Sequence, residues 1–131
     1  MSAIAVLQRP ADAAAPDRAD QPPALLPDWR RRCAIVRVEG ELDAAVAEGF
    51  RQAVGQAVTA SSRAVVLDLR GTRFLSIGIA RWLAVAKRAA AGTGVDLRIV
   101  SGRREIERVL EITGVRPLFR YYAGMQLALD A

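Results

Sequence analysis

Histidine is absent from this sequence, and cysteine occurs once, at Cys33. Without histidine the usual zinc sites and histidine-based catalytic triads cannot form, and a single cysteine cannot close a disulfide within the chain. The glycine-rich patterns that cradle phosphates, G-x-G-x-x-G and G-x-x-x-x-G-K-[ST], do not occur either. The sequence therefore argues against an enzyme and predicts neither a bound metal nor a cofactor. Because Cys33 opens an apolar strand, we interpret it as a small buried residue.

Long apolar runs are also lacking. No stretch approaches the roughly 18 residues that a membrane span needs, and no charged start followed by an apolar segment indicates export. We therefore expect a cytoplasmic protein that does not insert into membranes.

Aromatic residues are few, with three Phe, two Trp and two Tyr. The formal net charge of +5 invites a nucleic-acid hypothesis, but the basic residues are scattered along the chain and the aromatics do not interleave with them. A sheet that binds RNA would present exposed aromatic rings for stacking on bases. The sequence therefore predicts no direct binding to nucleic acid.

The chain divides into a tail and one domain. Residues 1–28 are rich in Ala, Pro and Asp and show neither the strand period nor the helix period, so we expect mostly a mobile tail. Residues 24–26 could add a short edge strand between Pro23 and Pro27. Residues 29–131 form the predicted domain.

The stretch from Arg63 to Leu83 organises that domain. Residues 64–69 form a near-continuous apolar run, which is typical of a strand buried on both faces of a parallel sheet. Asp68 interrupts the run, and we interpret it as a ligand for nearby backbone N–H groups. After a loop that contains Arg70 and Arg73, Ser76 is the predicted N-cap of a helix with apolar residues at spacings of three and four.

Strands and helices alternate along the rest of the domain. The predicted elements are a strand at residues 33–39 that stops at Gly40, a turn at 41–43, a helix capped by Asp43, a strand at 95–100, a helix from Ser101 or Gly102 to Gly114, a strand at 118–121 and a helical turn at 125–129. Such alternation predicts an α/β fold with right-handed crossovers and helices packed on a mostly parallel sheet.

Four segments taken together resemble the successive signatures of a STAS domain, the family of bacterial anti-sigma factor antagonists. They are VEGELD at residues 38–43, VVLDL at 65–69, FLSIG at 74–78 and VLEITG at 109–114. The resemblance implies a STAS-type fold, with a mostly parallel or mixed sheet of four to five strands and about four helices packed against it.

The resemblance also implies a function. It implies a binding protein without catalytic activity, which engages an anti-sigma factor of the serine kinase type and so releases a sigma factor for transcription. In the family, the kinase ends the interaction by phosphorylating a serine at the start of the second helix, where the added charge spoils the interface. We expect a monomer or a weak homodimer.

This sequence departs from the family pattern at the phosphorylation site. An ungapped alignment places Ile77 at the position of the phosphorylated serine, so the acceptor is absent and regulation runs by other means. A one-residue slip instead keeps Ser76 as the acceptor, at the expense of a deletion in the loop. We favour the ungapped alignment because it keeps Phe74 and Leu83 at their family positions.

The predicted partner surface joins two loops that lie at the same end of the sheet in the family. It consists of Glu41, Leu42, Asp43, Ser76, Ile77, Gly78 and Arg81. Arg81 either contacts an acidic partner or is a solvated surface residue. Two other functions stay open: a STAS scaffold or accessory subunit of a transport or signalling complex, and a nucleotide-sensing module. Neighbouring genes would separate the first from an antagonist, and nucleotide titration would test the second.

Overall fold

The computed structural model describes residues 3–9, 33–61 and 63–130. Five strands and four helices follow one another in the order β1 (Ala3–Arg9), β2 (Cys33–Leu42), α1 (Ala47–Ala60), β3 (Ala64–Leu75), α2 (Ile77–Gly92), β4 (Asp96–Ser101), α3 (Arg104–Ile112), β5 (Tyr121–Tyr122) and α4 (Met125–Asp130). Two short 3-10 helices, Ala44–Val46 and Arg116–Leu118, precede α1 and β5.

The strands form a single sheet in the order β1-β2-β3-β4-β5. β1 pairs with β2 in the antiparallel sense, and the three other pairs are parallel. The structure therefore confirms the predicted α/β class, as a mixed five-stranded sheet with four helices.

One face of the sheet carries the larger core. Side chains of β2, β3 and β4 on this face pack against α1, α2 and α3, and the most buried members include Val36, Leu67, Ile99, Phe50, Leu83, Ile106 and Leu110. Phe50 of α1 and Trp82 of α2 meet edge to face, with ring centroids 5.8 Å apart. This core fixes α2 on the sheet and with it the position of the α2 N-terminus.

In the part of the chain that the structure describes, α4 is the helix that packs on the opposite face. Ala128 and Leu129 of this helix pack on the apolar residues Cys33, Ile35, Ala64, Val66 and Val100. Arg98 Nη1 and Arg63 Nη1 donate to the carbonyl oxygens of Ala128 and Leu129 at 2.7 and 2.9 Å, so guanidinium groups satisfy the end of α4. The burial of Cys33 confirms its predicted role. In the part of the chain that the structure describes, no helix is both long and apolar enough to cross a membrane.

Two sequence predictions about the elements need correction. Ala3–Arg9 forms the edge strand β1 within the segment that we expected to be mostly a mobile tail. The strand predicted at residues 118–121 is displaced, because Pro117 lies in a 3-10 helix and the strand comprises only Tyr121–Tyr122. The edge strand suggested at residues 24–26 lies outside the described residues. The domain boundary at residue 29 stays a prediction.

Both central strands are longer than predicted. β2 does not stop at Gly40 but continues to Leu42, and Gly40 takes a positive φ of 98° that only glycine adopts readily. β3 continues to Leu75, so Arg70 and Arg73 lie on a strand rather than in a loop. The register between the two strands shifts twice, between Arg37 and Glu39 and again between Gly40 and Glu41.

Candidate functional site

The two segments predicted to form a partner surface come together where β2 and β3 run past the rest of the sheet. We call residues 38–42 and 72–75 the β2–β3 extension. Thr72 Oγ1 donates to the carbonyl oxygen of Val38 at 2.9 Å in the buried base of the extension. At its tip Leu42 pairs with Leu75, and the N–H of Ser76 donates to the carbonyl oxygen of Leu42 at 2.9 Å. The start of α2 is therefore held directly against the end of β2.

Side-chain caps fix the backbone on both sides of this junction. Ser76 Oγ accepts a hydrogen bond from the N–H of Ile79 at 3.1 Å, which confirms Ser76 as the N-cap of α2. Asp43 Oδ1 accepts from the N–H of Ala45 at 3.1 Å, but it caps the 3-10 helix Ala44–Val46 and not α1 itself. Each cap satisfies a backbone N–H group at the start of its helix.

Two large apolar side chains stand exposed beside the junction. Ile77, the first residue of α2, is 52% exposed, and Phe74 at the end of β3 is 49% exposed. Gly78 and Arg81 lie next to them on α2 and are also exposed. The sequence analysis included Ile77, Gly78 and Arg81 but not Phe74. An aromatic residue in a strand usually faces the core, so nothing in the sequence indicated that Phe74 lies on the surface. Its exposure follows from its position on the solvent-facing side of the β2–β3 extension.

The charges at this end of the sheet are mixed. Arg73 Nη2 and Glu41 Oε2 form an ion pair of 2.8 Å across the β2–β3 extension. Arg81 makes no ion pair with any residue that the structure describes, and the first turn of α2 carries no acidic residue. The N-terminus of α2 adds partial positive charge. The exposed side of α2 therefore favours a partner with apolar and acidic groups.

Leu42, one of the seven residues of the predicted partner surface, does not expose its side chain there. Its side chain is fully buried and packs in the larger core, so only its carbonyl oxygen contributes, as the acceptor for Ser76. The sequence analysis placed Leu42 in a turn, whereas it is the last residue of β2 and points inward. The remaining six predicted residues are half-buried or exposed, and they lie on the two connected segments.

Asp68 lies inside the sheet and not on this surface. Its predicted role as an acceptor for a nearby backbone N–H group is confirmed, since Oδ1 accepts from the N–H of Arg70 at 3.2 Å. The sequence analysis did not find its two arginine partners, Arg37 and Arg70, which bind the carboxylate at 3.0 and 2.8 Å. Burial would raise the pKa of Asp68, but hydrogen bonds from Arg70 and Arg37 outweigh it, so the pKa is lowered and the carboxylate is charged at neutral pH.

No three metal-ligating side chains come together among residues 3–9, 33–61 and 63–130. The predicted partner surface is formed by the end of a two-stranded extension and the first turn of a helix.

The chain is similar to known proteins in sequence and in structure. The anti-sigma-F factor antagonist RsfB of Mycobacterium tuberculosis is 27% identical over 97 residues, which cover 73% of this chain and 78% of that protein. The crystal structure of an anti-sigma factor antagonist from Mycobacterium paratuberculosis superposes with a TM-score of 0.71 at 24% identity, over 98% of this chain and 92% of that chain.

A more distant structure shares the fold. The anti-sigma factor antagonist SpoIIAA in its unphosphorylated form gives a TM-score of 0.60 at 19% identity, over 75% of this chain and 85% of that chain. At identities this low, the structural similarity establishes a common fold and no more. The family model described as STAS domain matches residues 28–128, most of the chain, and the chain belongs to the STAS domain family.

Proposed function

We propose that this protein is an anti-sigma factor antagonist, which binds an anti-sigma factor of the serine kinase type in the cytoplasm. The observation that carries the proposal is the pair of exposed apolar side chains, Phe74 and Ile77, at the junction of β2 and α2 in a STAS domain. The similarity to RsfB, whose name describes an antagonist of an anti-sigma factor, supports the choice of partner.

The proposed interface, which we call the α2-start surface, centres on these two side chains. Interface hot spots are usually apolar or aromatic groups surrounded by polar residues that exclude water. Around Phe74 and Ile77 the polar or backbone contacts would come from Glu41, Asp43, Ser76, Gly78 and Arg81. In this arrangement Arg81 meets an acidic group of the partner, since no described residue of its own chain neutralises it.

We further propose that this interface is not switched by phosphorylation. Ile77 occupies the first position of α2, where the ungapped alignment places the acceptor serine of the family. Ser76 is engaged as the helix cap, and its hydroxyl accepts from the N–H of Ile79. An apolar side chain at the centre of the interface gives the partner a contact that a kinase cannot remove.

The experiment mixes the purified protein with the anti-sigma factor kinase encoded in the same genome and with ATP, then measures complex formation and intact mass. We expect a stable complex and no added phosphate. Absence of a complex with every such kinase would contradict the antagonist function. An added phosphate that disappears in Ser76→Ala would leave the antagonist function intact and establish Ser76 as the acceptor.

A further inference from the structure

Among residues 3–9, 33–61 and 63–130, only α4 packs on the face of the sheet opposite α1, α2 and α3. Residues two apart on a strand share a face, so Arg37 continues the row of Cys33 and Ile35, and Asp68 continues the row of Ala64 and Val66. α4 packs on the apolar part of these rows. The charged part lies beyond α4, towards the carboxyl ends of β2 and β3, where ligands commonly bind in open α/β sheets.

Asp68 holds two guanidinium groups in fixed positions there. Its side chain is 3% exposed, and its two oxygens accept four hydrogen bonds. Oδ1 accepts from the backbone N–H and from Nε of Arg70 at 3.2 and 2.8 Å, and Oδ2 accepts from Arg37 Nε and Arg70 Nη2 at 3.0 and 2.9 Å. All the acceptor positions of the carboxylate are thereby occupied.

The two arginines keep most of their donors free. A guanidinium group has five N–H donors, and in the described residues Arg37 uses only Nε while Arg70 uses Nε and one N–H of Nη2. Both side chains are partly open to solvent, at 42% and 46% exposure. Both contact the same oxygen of Asp68, which holds the two guanidinium groups close together.

The space in front of these donors is open and shaped by small residues. Arg37, Glu39, Asp68, Arg70 and Gly71 line a depression of about 420 Å³. Gly71 could not carry a side chain without a shift, since a Cβ atom there would lie 3.1 Å from Glu39 Cγ. On the neighbouring strand, exposed Ala5 stands opposite Arg37 in the register and adds little bulk.

We propose that Arg37 and Arg70 form a binding site for the phosphate group of a small phosphate monoester. The four hydrogen bonds saturate the buried carboxylate of Asp68, and the remaining guanidinium N–H donors match the geometry of phosphate oxygens. The formal charges of the depression balance, since the exposed carboxylate of Glu39 offsets the second arginine. Glu39 lines the same depression and opposes an anion. The site shares no residue with the α2-start surface and does not depend on the proposed function.

The test titrates the full chain with inorganic phosphate and with AMP at constant low ionic strength, with sodium chloride as the reference salt, and measures Kd from NMR chemical shifts. We expect saturable binding of both compounds. Arg37→Gln should weaken binding by about tenfold, since it removes charge-assisted hydrogen bonds. Glu39→Gln should strengthen it by about threefold, since it removes a repelling charge.

Arg88→Gln, an equal charge change on the exposed side of α2, is the matched control and should leave Kd unchanged. Arg70→Gln is a second test at the site; should it unfold the chain, Arg37→Gln and Glu39→Gln decide alone. Absence of saturation up to the solubility limit would overturn the proposal. So would an equal effect of Arg37→Gln and Arg88→Gln, or AMP binding that is indifferent to both Arg37 and Glu39.

Discussion

The two halves of β3 have opposite characters. From Ala64 to Leu69 every residue is buried, on one face in the core under α1, α2 and α3 and on the other under α4 or around Asp68. From Arg70 to Leu75 only Thr72 and Leu75 are buried, and Arg70, Arg73 and Phe74 face the solvent. One strand therefore anchors the fold with its first half and presents the α2-start surface with its second half.

The largest expected effect is the difference in stability between a substitution in the buried half and one in the exposed half. Leu67→Ala removes a fully buried side chain from the core and should lower the free energy of unfolding by about 2–5 kcal/mol. Phe74→Ala, in the exposed half, should lower it by less than about 1 kcal/mol. Urea denaturation followed by circular dichroism measures both. Equal losses would mean that Phe74 supports the core and that the contrast between the halves is wrong.

The next effect concerns Asp68, at the border between the halves. Asp68→Asn removes the charge that binds Arg37 and Arg70, so we expect a loss of about 2 kcal/mol in the free energy of unfolding at pH 7. Asp43→Asn, the same change at a helix cap outside the sheet, should have almost no effect because asparagine caps equally well.

The loss at Asp68 should depend on pH in a defined direction. The pKa of Asp68 is lower in the folded protein than in the unfolded chain, so its charge stabilises the fold above the unfolded value of about 4. That stabilisation disappears as the pH falls through the lower, folded-state pKa. The gap between the wild type and Asp68→Asn should therefore shrink below about pH 4. A gap that is constant from pH 7 to pH 2 would show that the charge of Asp68 does not contribute.

The smallest expected effect lies at the Ser76 cap. Ser76→Ala removes the hydrogen bond to the N–H of Ile79 and should lower the free energy of unfolding by about 1 kcal/mol. Ser76→Asp keeps a capping oxygen and adds a favourable charge at the α2 N-terminus, so it should restore that stability. The measurement is again urea denaturation. Failure of Ser76→Asp to recover the loss would indicate that Ser76 does more than cap the helix.

The buried half of β3 was predictable because its signal is local. A run of five apolar or small residues, interrupted only by Asp68, indicates a strand covered on both faces. A serine before a helical period indicates a cap, so residues 64–69 and Ser76 were placed correctly. Gly114 likewise ends α3 with a positive φ of 75°, as its position in the sequence indicated.

The features that were missed depend on contacts between distant parts of the chain. β1 pairs with β2 across at least 24 residues, and a short apolar segment does not show by itself that such a partner exists. Arg37 and Asp68 are 31 residues apart, so their ion pair follows from the register of β2 and β3 alone. Gly40 looked like a strand end, whereas it lies between two register shifts within β2.

The partner surface was predicted in part for the same reason. Ile77, Gly78 and Arg81 follow from the helical period of α2, and their exposure agrees with it. The directions of the Leu42 and Phe74 side chains depend on the path of the β2–β3 extension. Two register shifts make that path differ from a regular ladder. Leu42 consequently turns into the core, and Phe74 turns out of it.

The most direct test of the α2-start surface compares two glutamate substitutions on the same helix. Ile77 and Val85 are 52% and 57% exposed on α2, but only Ile77 lies beside Phe74 at the junction with β2. Isothermal titration calorimetry with the anti-sigma factor should show that Ile77→Glu weakens binding by at least about thirtyfold, or about 2 kcal/mol. Val85→Glu should change it by less than threefold. Equal affinities of the two variants would contradict an interface centred on the start of α2.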